Sequence, residues 1–227
     1  LPNLPKGRTH AEDAMAYFER MYGIGGEFFE VRVPSTCSLK DNTLKQWEAF
    51  LDPSITVVGL KMHDAIHFPP LRKDVISTGS VLALLGPRKA VEAFVEQFGL
   101  KLSPHLSVFK DRLSPLNVGL SEAVVPPSSP LVGRAYKELH MRKRFDAQVL
   151  AALRGSKIIK GEELETLNLR PGDTLGIFSS WQALAEFENN PDFVVVTTDF
   201  PHEKVYTEKA KTALFWSFLT IILLIFT

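Results

Sequence analysis

A single cysteine, Cys37, stands among 227 residues. One thiol permits no internal disulfide and no cysteine metal cluster, and it suits a reducing compartment. An excess of charge is lacking too. The chain has 26 Lys and Arg against 26 Asp and Glu, so no net basic field gathers nucleic-acid phosphates or anionic lipid, and nucleic acid is not an expected partner. The sequence contains no GxSxG nucleophile elbow, no Walker loop and no HExxH, which leaves an enzymatic reading without a foundation. The glycines of GIGG at 23–26 close a predicted helix, whereas a dinucleotide fingerprint follows a strand and opens a helix. No positively charged segment leads into an apolar one at the start, so nothing there reads as a signal peptide. The missing initiator Met hints at a fragment.

What is present is ordinary globular composition, 45% hydrophobic and 23% charged, together with an internal duplication. Val33 to Met62 and Val125 to Arg154 follow one plan at an offset of 92 residues. In each, an apolar strand end reaches Val-Pro (Val33-Pro34, Val125-Pro126), passes a Ser/Thr-rich turn, meets Leu39 or Leu131, and enters a helix through Lys45 or Lys137. The apolar runs ITVVGL and AQVLAAL follow. At an offset of 93, Gly79 then falls on Gly172, Leu82 on Leu175, Ala90 on Ala183 and Phe94 on Phe187. A spacing near 90 residues suits two tandem domains.

Periodicity predicts a helix from Ala11 to about Tyr22, then a half-buried strand in EFFEVRV. Asp41 or Asn42 is placed to cap a helix whose face is Leu44, Trp47, Phe50 and Leu51. Strands are predicted at ITVVGLKM, AIHFPP and SVLALLG, and a helix after Pro87 with Val91, Phe94, Val95 and Phe98 on one side. Residues 101–119, with two Ser-Pro pairs and no period, read as a linker. The second copy reads as strand LSEAVV, a helix through Leu131, Ala135 and Leu139, strands at AQVLAALR, KIIK and TLGIFS, and a helix capped by Ser179 with Gln182 in a capping box. DFVVVTT is a last strand-like piece.

The predicted fold class is α/β (α+β): two tandem two-layer sandwiches, each a mainly antiparallel four-stranded sheet with two helices. The expected organisation is a leader and helix at 1–27, a first domain at 28–102, a linker at 103–119, a second domain at 120–198, a membrane approach at 199–212 and a truncated transmembrane helix at 213–227. ITVVGL and AQVLAAL are apolar at successive positions, which predicts burial on both sheet faces. The second face is expected to meet another repeat, from this chain or a second copy. The run ALFWSFLTIILLIFT has 15 uncharged residues where a bilayer span needs about 20. Lys204, Lys209 and Lys211 precede it and Trp216 sits near its polar boundary, so residues 1–212 are expected on the cytoplasmic face of a cell membrane.

The second copy, EAVVPPSSPLVGRAYKELHMRKRFDAQVLAALRG with LRPGDTLGIF and the closing helix, resembles the TrkA-C domain, the C-terminal regulatory module of potassium-conductance regulators. VRVPSTCSLKDNTLKQW and ISTGSVLALLGPRKAVEAFVEQFGL resemble a more divergent TrkA-C domain. It departs at Lys40-Asp41, where the second copy has Val132-Gly133, and at Gly79-Ser80, where the second has Gly172-Asp173. Two such domains followed by DFVVV, a lysine-bearing approach and an apolar run resemble the cytoplasmic loop of divalent anion:sodium symporters, most of all in LHMRKRFDAQVLAALRG. The aspartate:alanine exchanger type is a related resemblance. These resemblances imply a dimer-forming, non-catalytic regulatory module of a secondary anion transporter. Some TrkA-C dimers bind cyclic di-AMP across their interface, so a cyclic dinucleotide or another small anionic ligand is the implied effector. The alternatives are a module of a potassium or cation system, and a ligand-independent spacer between two membrane halves.

The concentrated polar feature is HMRKRF at 140–145. His140, Arg142 and Arg144, with Arg134 before and Arg154 after, are the candidate ligand-binding residues, able to offer guanidinium forks to phosphate or carboxylate. The competing reading is a solvated helix end whose cations suit the C-terminal dipole. His63 and His67 read as a loop and a strand histidine, not a metal pair, because they fall in a strand-turn-strand with no third ligand nearby. Gly172-Asp173 reads as a turn in which Gly supplies positive φ and Asp closes a local hydrogen bond.

Overall fold

Alternation in EFFEVR yields strand β1 (Glu27–Arg32), with Phe29 and Val31 buried on one face. The computed structural model describes residues 10–188 and 190–196. The leader before His10, the lysine-bearing approach and the apolar run at 213–227 lie outside the described residues. Among those described, no helix is long and apolar enough to cross a membrane.

Helix α1 (His10–Tyr22) precedes β1. The first unit continues through β2 (Asn42–Thr43), α2 (Leu44–Glu48), β3 (Thr56–Met62), β4 (Ala65–His67), β5 (Val75–Ile76), β6 (Val81–Gly86), α3 (Arg88–Phe98) and β7 (Lys101–Leu102). The expected cap of α2 moves by one or two residues. Thr43 Oγ1 accepts from Gln46 N, while Gln46 Oε1 accepts from Thr43 N at 2.8 Å, a reciprocal capping box. The helix stops after little more than a turn, so Leu44 and Trp47 are buried but Phe50 stays 55% exposed. The α3 prediction holds: Val91 and Phe94 are buried, and Gly99 ends the helix in the left-handed conformation.

The second unit comprises β8 (Val118–Val124), a 3-10 turn (Tyr136–Leu139), α4 (Met141–Arg144), β9 (Ala147–Arg154), β10 (Lys157–Ile159), α5 (Gly161–Glu165), β11 (Thr174–Ser180), α6 (Trp181–Glu188) and β12 (Val194–Val195). The helix expected through Leu131, Ala135 and Leu139 is replaced by turns. Pro130 and the positive φ of Gly133 break it, and Ala135 instead bridges to Asn168. The cap of α6 also shifts: Ser179 remains in β11, and Ser180 Oγ accepts from Ala183 N at 3.1 Å.

Both sheets are antiparallel and have the same order, β4-β3-β6-β1-β7 and β10-β9-β11-β8-β12. The fold class stands as predicted, with a fifth short strand added at one edge of each sheet. The repeat extends to single hydrogen bonds. Val33 N donates to Ser80 O and Val125 N to Asp173 O, each at 2.9 Å, and Leu44 N to Asp74 O matches Tyr136 N to Leu167 O, each at 2.8 Å. The register of β3 against β6 slips around Val58, and that of β9 against β11 slips around Leu150, so one bulge occurs in both copies. Gly79 and Gly172 share φ of 85° and 84°. Asp41 holds φ 64° where its counterpart Gly133 holds 84°; this departure of the first copy keeps the backbone path.

Each sheet covers one apolar core with its helices. Val31, Leu44, Trp47, Leu82, Leu84 and Phe94 belong to the first, and Val125, Leu139, Val149, Leu175, Ile177 and Phe187 to the second. A third core joins the other two faces: Val58, Ala83 and Leu85 from the first sheet meet Leu120, Leu150 and Phe178 from the second. This is why β3 and β9 are apolar at successive positions. Segments outside the sheets complete it. Helix α1 lies on β8 and β9 with Phe18 and Tyr22 buried, and the stretch read as a linker buries Phe109 and Leu113.

Candidate functional site

The five candidate residues separate according to what their side chains meet. Arg154 leaves the end of β9 and grips Asp173 at the turn into β11. Its Nε donates to Oδ1 at 2.7 Å and its Nη2 to Oδ2 at 2.6 Å, with a further bond to Asn168 O at 2.8 Å. Asp173 is 1% exposed and also accepts from Arg170 N at 2.8 Å. That last bond is the local turn closure expected of Asp173, and the bidentate fork is an addition that raises the Arg154 guanidinium further above its ordinary value.

Arg142, on α4, reaches across to the first unit. Its guanidinium donates to Glu48 Oε1 at 2.9 Å and to Pro70 O at 3.1 Å. Glu48 also accepts from Arg72 Nε at 2.6 Å, and Arg72 pairs with Glu165 at 2.8 Å. Four side chains of alternating sign, two from each unit, thus close one end of the interface. Tyr136 is buried beside this group, and burial holds its phenol far above the ordinary range. Arg72 and Glu165 are 93 residues apart, the spacing of the flanking equivalent positions, and a contact between equivalent positions is what two-fold packing produces.

Arg134 and His140 are exposed, His140 with φ 49°, and Arg144 lies over the Phe145 ring at 5.0 Å from the centroid. The structure therefore does not bring the five together: Arg142 and Arg154 are held by carboxylates within the chain, and the other three face solvent. Glu48 and Arg72 were missed because the partners are 24 and 94 residues apart in sequence, and no local pattern signals such pairs. His63 occupies the β3–β4 turn at φ 51°, and His67 Nδ1 meets Asp74 Oδ2 at 2.7 Å. Among the described residues no group of three or more His, Cys, Asp or Glu is arranged to hold a metal.

Two carboxylates occupy matching places on the faces that meet. Glu30 of β1, 2% exposed, accepts from Ser107 N, Ser107 Oγ, Val108 N and Phe109 N at 2.8 to 3.3 Å. Burial pushes its carboxyl up, but these donors outweigh that and leave it below the ordinary carboxylate value. Glu122 of β8 accepts from Tyr17 and Tyr22 of α1 at 3.0 and 2.6 Å. Burial, then this bond, drives the Tyr22 phenol well above its ordinary value. A cavity of about 290 Å³ opens nearby between the units, lined by Phe68, Asp111, Arg112, Asn117, Val118 and Ser180. Another, of about 270 Å³, lies beside β1 and β7 and includes Glu27, Glu30, Arg88 and His105.

Comparison with known proteins matches the TrkA-C domain to residues 120–191, which take in most of β8, strands β9 to β11 and helices α4 to α6 but not β12. Over 220 residues, 94% of this chain, the sequence is 26% identical to the uncharacterized transporter sll0640 of Synechocystis sp.. The chain spans 35% of that protein's length. Among solved structures, the crystal structure of the GsuK RCK domain aligns with a TM-score of 0.32 at 10% identity, covering 71% of this chain and 62% of that one. S. agalactiae BusR in complex with its busAB-promotor DNA aligns with a TM-score of 0.29 at 19% identity over 44% and 43%. TrkA-C domains are regulatory rather than catalytic.

Proposed function

We propose that this chain, whose residues 120–191 form a TrkA-C domain, is the regulatory module of a secondary membrane transporter for anions of the dicarboxylate or sulfate type. The similarity to a transporter over 94% of the chain carries this reading. Residues 28–102 act as a second, divergent TrkA-C domain, supported by a strand order and hydrogen bonds that repeat those of residues 120–198. The module stands on the cytoplasmic side, pairs with a second copy, and responds to a small effector. Binding biases transport only if the effector has different affinities for two arrangements of the module.

Arg134, His140 and Arg144 are solvent-facing and remain the candidate contacts for an anionic effector such as a cyclic dinucleotide. Arg142 and Arg154 would join them only by leaving Glu48 and Asp173. The locked contacts at Glu48, Arg72, Arg142 and Glu165 favour a second reading, a ligand-independent spacer. Uptake of sulfate, succinate and citrate by the full-length transporter in sealed vesicles tests both. Cyclic di-AMP added on the module's side is expected to change the uptake rate, and Arg144→Ala with Arg134→Ala to blunt that change. A rate indifferent to effectors and to these substitutions supports the spacer.

A further inference from the structure

We infer that the cavity between the two units is a binding site for a small zwitterion of the amino-acid class. It rests on the effector sensing proposed above and adds to it a site apart from Arg134, His140 and Arg144, for a different class of effector. Phe68 comes from the first unit, just beyond β4. Asp111, Arg112 and Asn117 come from the connecting stretch, and Val118 and Ser180 from β8 and β11. Its volume of about 290 Å³ lies at the small end of the range for ligand sites, which favour junctions between units.

The two cavities differ in whether their charges are spoken for. Beside β1 and β7, Arg88 pairs with Glu27 at 2.9 Å and Glu92 at 3.6 Å, and Glu30 is filled by four donors. In the cavity between the units, neither the Asp111 carboxylate nor the Arg112 guanidinium has a hydrogen-bond or ion-pair partner among the described residues. One unpaired cation and one unpaired anion are adjacent in sequence and open to one cavity.

That pair selects the ligand. A guanidinium offers its fork to a carboxylate and an aspartate accepts from an ammonium. A simple anion meets Arg112 but is repelled by Asp111, and a simple cation meets the reverse. A molecule bearing both groups satisfies both charges at once. Ser180 Oγ already accepts from Ala183 N, so its proton remains to donate. Asn117 Nδ2 is committed to Asp111 O at 2.6 Å, which leaves its Oδ1 as an acceptor. Phe68 and Val118 offer apolar surface to a short side chain.

The frame is set before any ligand arrives. Trp181 Nε1 donates to Pro115 O at 2.9 Å and Trp181 N to Asn117 O at 3.0 Å, while Asn117 N donates to Ser114 O at 2.8 Å. Phe68 packs edge-on against Phe178 at 5.6 Å. Such preorganisation lowers the ordering cost of binding. Because both units contribute, occupancy bears on how they sit together.

Titration calorimetry of the full chain with glycine, L-alanine and L-aspartate tests the site, with acetate and methylammonium as single-charge comparisons. At least one zwitterion is expected to bind saturably, with each single-charge compound weaker by about tenfold or more. Arg112→Gln and Asp111→Asn, both exposed and checked for unchanged melting, are each expected to weaken the zwitterion by a similar factor. Absence of zwitterion binding up to about 10 mM, or binding that ignores both substitutions, overturns the site. Effector-independent transport by the full-length protein would remove the sensing reading instead.

Discussion

Glu30 and Glu122 stand 92 residues apart at one place in the repeat, and each is held by a segment outside the sheets. Backbone N–H groups satisfy the first and tyrosine hydroxyls the second. Because the Glu30 pKa is lowered in the folded chain, its contribution to stability is complete above the unfolded value of about 4.3. It is lost as pH falls through the folded value. Glu30→Gln should therefore flatten the acid side of the stability curve and cost about 2 kcal/mol at pH 7, measured by urea unfolding across a pH series. An unchanged acid limb would show that the nest of donors does not hold a carboxylate in solution. The divergence between copies is also sharpest at this scale. Asp173 takes an arginine fork, whereas its counterpart Ser80 is buried with a hydroxyl that has no hydrogen-bond partner among the described residues.

Elements without a strong period of their own turn out to be structural. Helix α1 precedes the first unit but packs on strands of the second, with Phe18 stacked on Tyr22 at 5.0 Å and Lys160 Nζ bonded to Gly23 O at 2.8 Å. Burial lowers the Lys160 pKa. Phe18→Ala should cost about 3 kcal/mol and raise amide exchange through α1 and β8 before it reaches α3, as hydrogen-exchange mass spectrometry would record. Exchange rising equally everywhere would mean that α1 is not a separable cover. The stretch at 103–119 was legible only as lacking a period. Its tertiary role lies in Phe109, Leu113 and the three amides that clasp Glu30, and these face a sheet that no local pattern identifies.

Across the whole molecule, the third apolar core makes the two units one cooperative body. Scanning calorimetry should then show a single transition, and two separate ones would contradict the shared core. Glu48→Gln leaves Arg142 and Arg72 with fewer partners at a partly exposed rim, so the loss should be about 1 kcal/mol at low salt and shrink in about 1 M salt. A loss independent of salt would point to packing rather than charge.

The sequence by itself determined the longer strands, the α3 helix, the duplication and the need for both faces of β3 and β9 to be covered, but not the two-residue strands β2, β5 and β7. Those follow from side-chain period and from the cost of leaving apolar runs in water, which are properties of neighbouring residues. Caps were legible to within a residue or two, because Thr43 and Ser180 compete with polar neighbours that the sequence alone ranks equally. Only the tertiary structure decided which charges are free. Arg142 finds Glu48 from 94 residues away and Arg154 finds Asp173 from 19, while Asp111 and Arg112, unremarkable in the sequence, are left facing a cavity. Ion pairing depends on distance through space, and that distance is set only when the two sheets have closed on one another.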